Sequence, residues 1–401
     1  MEFEWLRDPN DGAARVKALR DCFAPSMFGH VEAMPTRQDA FVRGVSVAMK
    51  IFGRLKTAEI DVTKIAPGHG LGHMMRDYVN ALRLYLKLDA PPAHVFIGFL
   101  GGVFHDIGCA LVPRYEESTR LVRHAEAGAL CMFDLLQADN CGLNQSEILL
   151  LCYAIAAHTH YLSPQKIKLV GGEEKEILPY VDLDESGAPI IGVWGARWVD
   201  RLDTNGPAFV GRHYLTLVET HVDFTGKEHY VVEYVNHMRP LLRDKPEKPQ
   251  TMAEHLRMFA NSQTNDSPYG KWDFGRMIEI RDNYREKLLK IVAATQSEAR
   301  FPPEEIVLTQ RCWTQFLWRN VEPTPLGMKA AEELSSRFER LDDTTKQAWT
   351  CAFNVCMLNY AKWAEVVEIS FGIASRAWVV DPALPCNVLE MIRPHELWLQ
   401  G

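Results

Sequence analysis

The chain has 401 residues, 47% of them hydrophobic and 24% charged, with a formal net charge of −8. That is enough apolar material for a sizeable core and enough length for two folded units. The acidic balance, without a basic stripe, points away from long nucleic acid and leaves a small nucleotide or another small phosphorylated molecule open as a partner. From Met1 to Arg20 there is no apolar signal-peptide region. We also read no apolar run of about 18 residues or more, so the expectation is a cytoplasmic protein without a membrane span. The nine cysteines include no CxxC pair and read as buried, reduced thiols.

In chain order, residues 1–60 read as a helical extension, with helices at Ala13–Cys22 and Gln38–Leu55. Pro67, Gly68 and Gly70 then mark a loop. From Gly72 to about Leu88, the apolar residues Met75, Tyr78, Val79, Leu82 and Leu86 recur at three and four, the stripe of an amphipathic helix. An apolar run from Val95 to Val103 leads into His105-Asp106, and helices are expected near 117–138 and 145–159. Glu176–Val181 and Ala188–Val193 flank a turn-like Asp184-Glu185-Ser186-Gly187 and read as a β-hairpin; Glu219–Asp223 and Tyr230–Val235 read as a second. The stretch 194–203 reads as helix. The polar, Pro-containing Asp244–Gln250 marks a boundary between a domain at 61–243 and a C-terminal helical domain at 251–401. Within the latter, helices are expected near 252–261, 275–296, 303–320, 328–341 and 344–375. The tryptophans there read as core, and a homodimer through these helices is an option. The fold class is therefore mainly α with small β-hairpin insertions.

Histidine placement is the sharpest signal. Half of the fourteen histidines lie between 69 and 160: His69, His73, His94, His105, His124, His158 and His160. Neutral imidazole is a common metal ligand near pH 7. The adjacent His105-Asp106 offers one neutral and one anionic donor, and both can face a single ion only where a helix begins or distorts. Gly101, Gly102 and Gly108 suit such a break. His94, beside two prolines, reads as structural.

The stretches GHGLGHMMRDYVNAL, HDIGCALVPRYEESTRLVRHAEAGA, AIAAHTHY and WVDRLDT together resemble the HD-domain metal-dependent phosphohydrolase superfamily, its HD-GYP branch in particular. The likeness covers roughly residues 60–210. It implies a helical HD core binding two divalent transition metals (Fe, Mn, Zn or Ni), with ligands His73, His105, Asp106, His124, His158 and Asp200. Asp106 would bridge the two ions. His69 and Asp203 stand as rivals to His73 and Asp200, and Asp203 alternatively orients a ligand. The implied activity is hydrolysis of a phosphate ester, of a nucleotide or another small phosphorylated substrate, by a metal-bound hydroxide. Catalytic roles fall to Asp106, His124, His160 and Arg76. Arg76, Arg123, Arg201 and His69 would contact the substrate, guanidinium being matched to phosphate. The sequence carries Cys109 where HD-GYP proteins have Lys, lacks the GYP tripeptide, and has His158-Thr159-His160 in place of a tandem His pair. Two other readings accompany this one: an HD-fold diiron oxygenase cleaving C–C or C–P bonds, and a non-catalytic HD binding module.

Overall fold

A computed structural model describes residues 3–62, 65, 68–87, 90–112, 123–159, 165–168, 174–177, 180–187, 190–205, 301–316 and 325–340, with 343, 346, 347 and 350. These residues are mainly helical. The helices are α1 (Pro9–Asp21), α2 (Arg37–Thr57), α3 (Leu71–Lys87), α4 (Pro92–Phe104), α5 (His124–Ala138), α6 (Gln145–Ala157), α7 (Ile191–Asn205), α8 (Pro303–Phe316) and α9 (Pro325–Glu339).

Local chemistry explains several of the boundaries. Pro9 occupies the first turn of α1, and the Asp8 carboxylate accepts from the backbone N–H groups of Asn10 and Asp11. Reciprocal capping boxes start α2, between Thr36 and Asp39, and α6, between Asn144 and Glu147. Glu147 is also fully buried against Arg43, whose guanidinium nitrogens stand 2.6 and 2.8 Å from its oxygens. That pair joins the start of α6 to α2. Burial alone would raise the Glu147 carboxyl, but the bonds from Arg43 and the backbone outweigh it and hold it below its usual range.

Contacts divide the chain into two compact units. The first comprises 1–70, 74–201 and 370–384; the second comprises 71–73, 202–369 and 385–401. The division falls inside the first turn of α3 and the last turn of α7, which are nevertheless continuous helices. In the first unit α4 is the central element: every residue from Val95 to Phe104 is buried, as expected of a helix that is apolar on all faces. It packs on α2 and α6, and α6 packs on α5. Helices α4 and α7 approach closely at Gly98 and Gly195. A Cβ on Gly195 would lie 3.2 Å from the Gly98 Cα, and a Cβ on either glycine would collide with the Tyr85 hydroxyl. That hydroxyl donates to the Ile191 carbonyl at 3.3 Å, so a side chain of α3 fills the seam that the two glycines open.

Among the described residues of the second unit, α8 packs on α9, with Gln310 donating to the Ser335 carbonyl and hydroxyl at 2.9 and 3.0 Å.

One expectation is corrected. The hairpin does not lie at 176–193. Strands Gln165–Lys168 and Glu174–Ile177 pair antiparallel, with Gln165 opposite Ile177, and Ile191–Val193 begin α7 instead of a strand. The turn at Asp184–Gly187 does form, with Asp184 accepting from the Ser186 backbone and hydroxyl. Asp184 and Ser186 are turn formers whatever follows them, and the β-branched residues after the turn were outweighed by burial of Val193, Trp194 and Ala196 on α7. The stretch Pro92–Ala110, α4 with the turn after it, is long and apolar enough to meet a membrane-span criterion by composition, but 83% of its 18-residue apolar window is buried inside the protein, as befits a core element. The expected second hairpin (219–235), the boundary at 244–250 and the helices at 252–261, 275–296 and almost all of 344–375 lie outside the described residues.

Candidate metal centre

Helix α4 ends at Phe104. His105 keeps helical angles, and Asp106 follows at φ −94° and ψ 8°, heading a 3₁₀ turn over Ile107–Ala110. That bridge-region backbone is sparsely populated elsewhere in proteins and recurs at active sites. It turns the Asp106 carboxylate back, so that its Oδ2 stands 3.3 Å from the His105 Nε2. This is how two adjacent residues come to face one point.

Three imidazoles surround the Asp106 carboxylate. His105 Nε2 lies at 3.3 Å, His124 Nε2 at 3.3 Å and His158 Nε2 at 3.4 Å. His124 is the first residue of α5 and His158 the C-terminal cap of α6; their Nε2 atoms are 3.2 Å apart. The opposite ring nitrogens of His105 and His158 are committed. His105 Nδ1 meets the Gly102 carbonyl at 2.8 Å and His158 Nδ1 meets the Ile155 carbonyl at 2.7 Å. A carbonyl can only accept, so Nδ1 carries the proton, and in the neutral ring Nε2 carries the bare lone pair. Burial pushes His158 down to about 4, against the opposing pull of Asp106, so its ring is neutral at pH 7.

Beside this set lies a second convergence. His73 on α3, Asp77 one turn later, His105, and Asp200 on α7 place one donor atom each within 4.8 Å of one another. His105 Nε2 is 3.7 Å from Asp77 and 4.0 Å from Asp200. His73 Nδ1 lies 2.9 Å from the Asp203 carboxylate, so its proton is held there and Nε2 is again the bare nitrogen. A preoriented donor set of neutral imidazoles and carboxylates, buried but for the half-buried Asp200, fits divalent transition ions. These residues form a buried His/Asp cluster that can hold metal.

Two networks fix the helix ends that carry His124 and His158. Glu126, buried on α5, accepts from the Arg123 backbone at 3.1 Å, from Arg20 at 3.2 Å and from the Tyr180 hydroxyl at 3.2 Å. On the other side, Arg197 of α7 donates through Nε to the Ala157 carbonyl at 2.7 Å, one residue before His158, and pairs with the buried Asp182 carboxylate.

Of the remaining residues singled out by sequence, His69, Arg76 and Arg123 are buried. Arg123 directly precedes His124 and lies 3.9 Å from Glu126. Arg201 is in α7, with its side chain outside the described set, and His160 lies outside the described residues. His94 stacks on Phe28 at 3.9 Å and accepts from the Gly192 backbone at 3.2 Å, a cap for the start of α7. Asp77, Glu126 and Arg197 went unread in the sequence. Asp77 had a signal, the four-residue spacing that places it on the His73 face of α3; Glu126 and Arg197 had none, because their partners are remote in sequence. No protein-family model matches the chain, and no curated protein or solved structure is significantly similar to it.

Proposed function

We propose that the chain is a metal-dependent phosphohydrolase of the HD type, acting on a nucleotide or another small phosphate ester. One observation carries the reading: a single buried carboxylate, Asp106, faces three imidazole Nε2 atoms at 3.3–3.4 Å, and two of those rings have their Nδ1 protons tied to backbone carbonyls. So many bare nitrogens around one carboxylate form a costly arrangement unless cations share it.

In this reading His73, His105, Asp106 and Asp200 hold one ion, Asp106, His124 and His158 hold a second, and Asp106 serves both. Divalent ions there supply Lewis acidity and positive charge for a transferring phosphoryl group. The chain's own contribution is orientation. Asp203 and the Gly102 and Ile155 carbonyls fix which imidazole nitrogen is presented. Arg76 and Arg123, beside the donors in sequence, are the guanidinium groups we assign to contact with the phosphate ester. The surrounding apolar helices keep bulk water from the donors.

The test is elemental analysis of chelator-free protein followed by assay against nucleotides and phosphodiesters. About two manganese, zinc or nickel ions per chain with phosphate release support the proposal. Two irons with oxygen consumption replace it with an oxygenase, and metal without turnover replaces it with a binding module. Asp106→Ala and His105→Ala should each abolish metal content and turnover while leaving helical circular dichroism intact; wild-type turnover in either removes the site.

A further inference from the structure

The residue after Gly108 is a cysteine that the reading above leaves unused. A 3₁₀ helix turns once every three residues, so positions i and i+3 eclipse. In the turn after His105, Cys109 follows Asp106 by three and donates its backbone N–H to the Asp106 carbonyl at 2.9 Å; the two side chains therefore rise on one face. The turn is pressed against the start of α5: a Cβ on Gly108 would lie 1.8 Å from the His124 carbonyl oxygen and 2.4 Å from the Gly128 nitrogen. Only glycine permits that approach, and it brings the Cys109 sulfur to the residue that opens α5. Asp106, Cys109 and His124 each place a donor atom within 4.8 Å of the others, and all three are buried. Metal–sulfur and metal–nitrogen bonds of about 2.0–2.3 Å span such a gap with little rearrangement.

We propose that Cys109 is a sulfur ligand, so that the ion held by Asp106 and His124 sits in a mixed sulfur, nitrogen and oxygen site selective for a thiophilic divalent ion, zinc or iron in preference to magnesium or manganese. The inference rests on the reading of Asp106 and His124 as metal-holding residues and adds the donor that sets which metal they hold. Binding releases the thiol proton to solvent, because the thiolate is the ligand.

Cobalt(II) is the probe. The full chain, stripped with chelator, is titrated with cobalt and followed by absorbance. The expected result is a near-ultraviolet thiolate-to-cobalt charge-transfer band growing in step with the visible d–d bands. In Cys109→Ser the charge-transfer band is lost while d–d bands from the His and Asp donors remain. Cobalt bound with d–d bands alone in the wild type overturns the sulfur assignment and leaves the metal centre standing. A charge-transfer band that persists in a folded Cys109→Ser assigns the sulfur elsewhere and also overturns it. No cobalt bound at all sinks this inference and the metal reading together. Should Cys109→Ser fail to fold, X-ray absorption at the zinc edge of zinc-loaded wild type decides: a sulfur scatterer at about 2.3 Å is expected, and a shell of nitrogen and oxygen alone overturns the proposal.

Discussion

At the scale of single residues, the centre is organised by what each imidazole does with its far nitrogen. A backbone carbonyl or a carboxylate that holds the Nδ1 proton makes Nε2 the ligand atom and fixes the ring plane. Asp203 plays that part for His73 at 2.9 Å. Asp203→Asn keeps the shape and removes the charge, so metal affinity should fall roughly 10–100-fold, read by competition with a chelating indicator, while circular dichroism stays unchanged. Unaltered affinity would mean that His73 needs no orienting partner. Asp203 was legible in the sequence both as a rival to Asp200 and as a residue that orients a ligand. Their three-residue spacing on one helix left both candidates open, and the bond to His73 separates their roles.

At the scale of elements, His105, His124 and His158 stand at helix ends, and the ends that carry His124 and His158 are held by networks around the buried carboxylates Glu126 and Asp182. Arg197→Met would strand the Asp182 carboxylate, whose carboxyl burial already pushes up despite the guanidinium beside it. Breaking such a pair from one side costs about 3–5 kcal/mol, which urea unfolding should detect. The double change Arg197→Met with Asp182→Leu should recover part of that loss, because no charge is left buried. The 3₁₀ turn offers a second test. Gly108→Ala sets a methyl against backbone atoms of α5, where no side chain can rotate away, and should destabilise by about 3 kcal/mol. A stability equal to wild type would show that the turn and α5 are not in the contact described. The helices themselves were largely legible in the sequence: α2, α3, α6, α7 and α9 fall within a few residues of expectation, because apolar periodicity reports which face is buried. The hairpin was misplaced, since a turn signal names a reversal of the chain without naming the structure on either side.

At the scale of the whole molecule, stability should couple to pH and to metal. Burial lowers His94 to about 4 in the folded chain, against about 6.5 when unfolded. Between those values the unfolded chain binds the extra proton. Stability is therefore complete above about pH 6.5, is lost as pH falls toward 4, and changes no further from this group below that. The full span is worth roughly 3 kcal/mol. His94→Gln, which keeps an acceptor for Gly192 and does not titrate, should flatten the curve of unfolding free energy against pH in that window. An unchanged slope would remove His94 as its source. Chelator should likewise lower the melting temperature, and returning the metal should restore it, because an ion that binds only the folded chain adds its binding free energy to stability.

By itself the sequence determined that the chain is mainly helical and that His73, His105, Asp106, His124, His158 and Asp200 were the residues to watch. Periodicity and donor chemistry are local properties, written into consecutive residues. Only the tertiary structure decided that His105, His124 and His158 meet around one carboxylate, that Asp77 and Cys109 stand within reach of the same donors, and that Glu126 and Arg197 hold the helix ends in place. Apart from Asp77, four residues after His73, and Cys109, three after Asp106, those facts are distances between residues far apart in the chain, set by how helices pack with close approaches at Gly98, Gly108 and Gly195, and no local spacing encodes them.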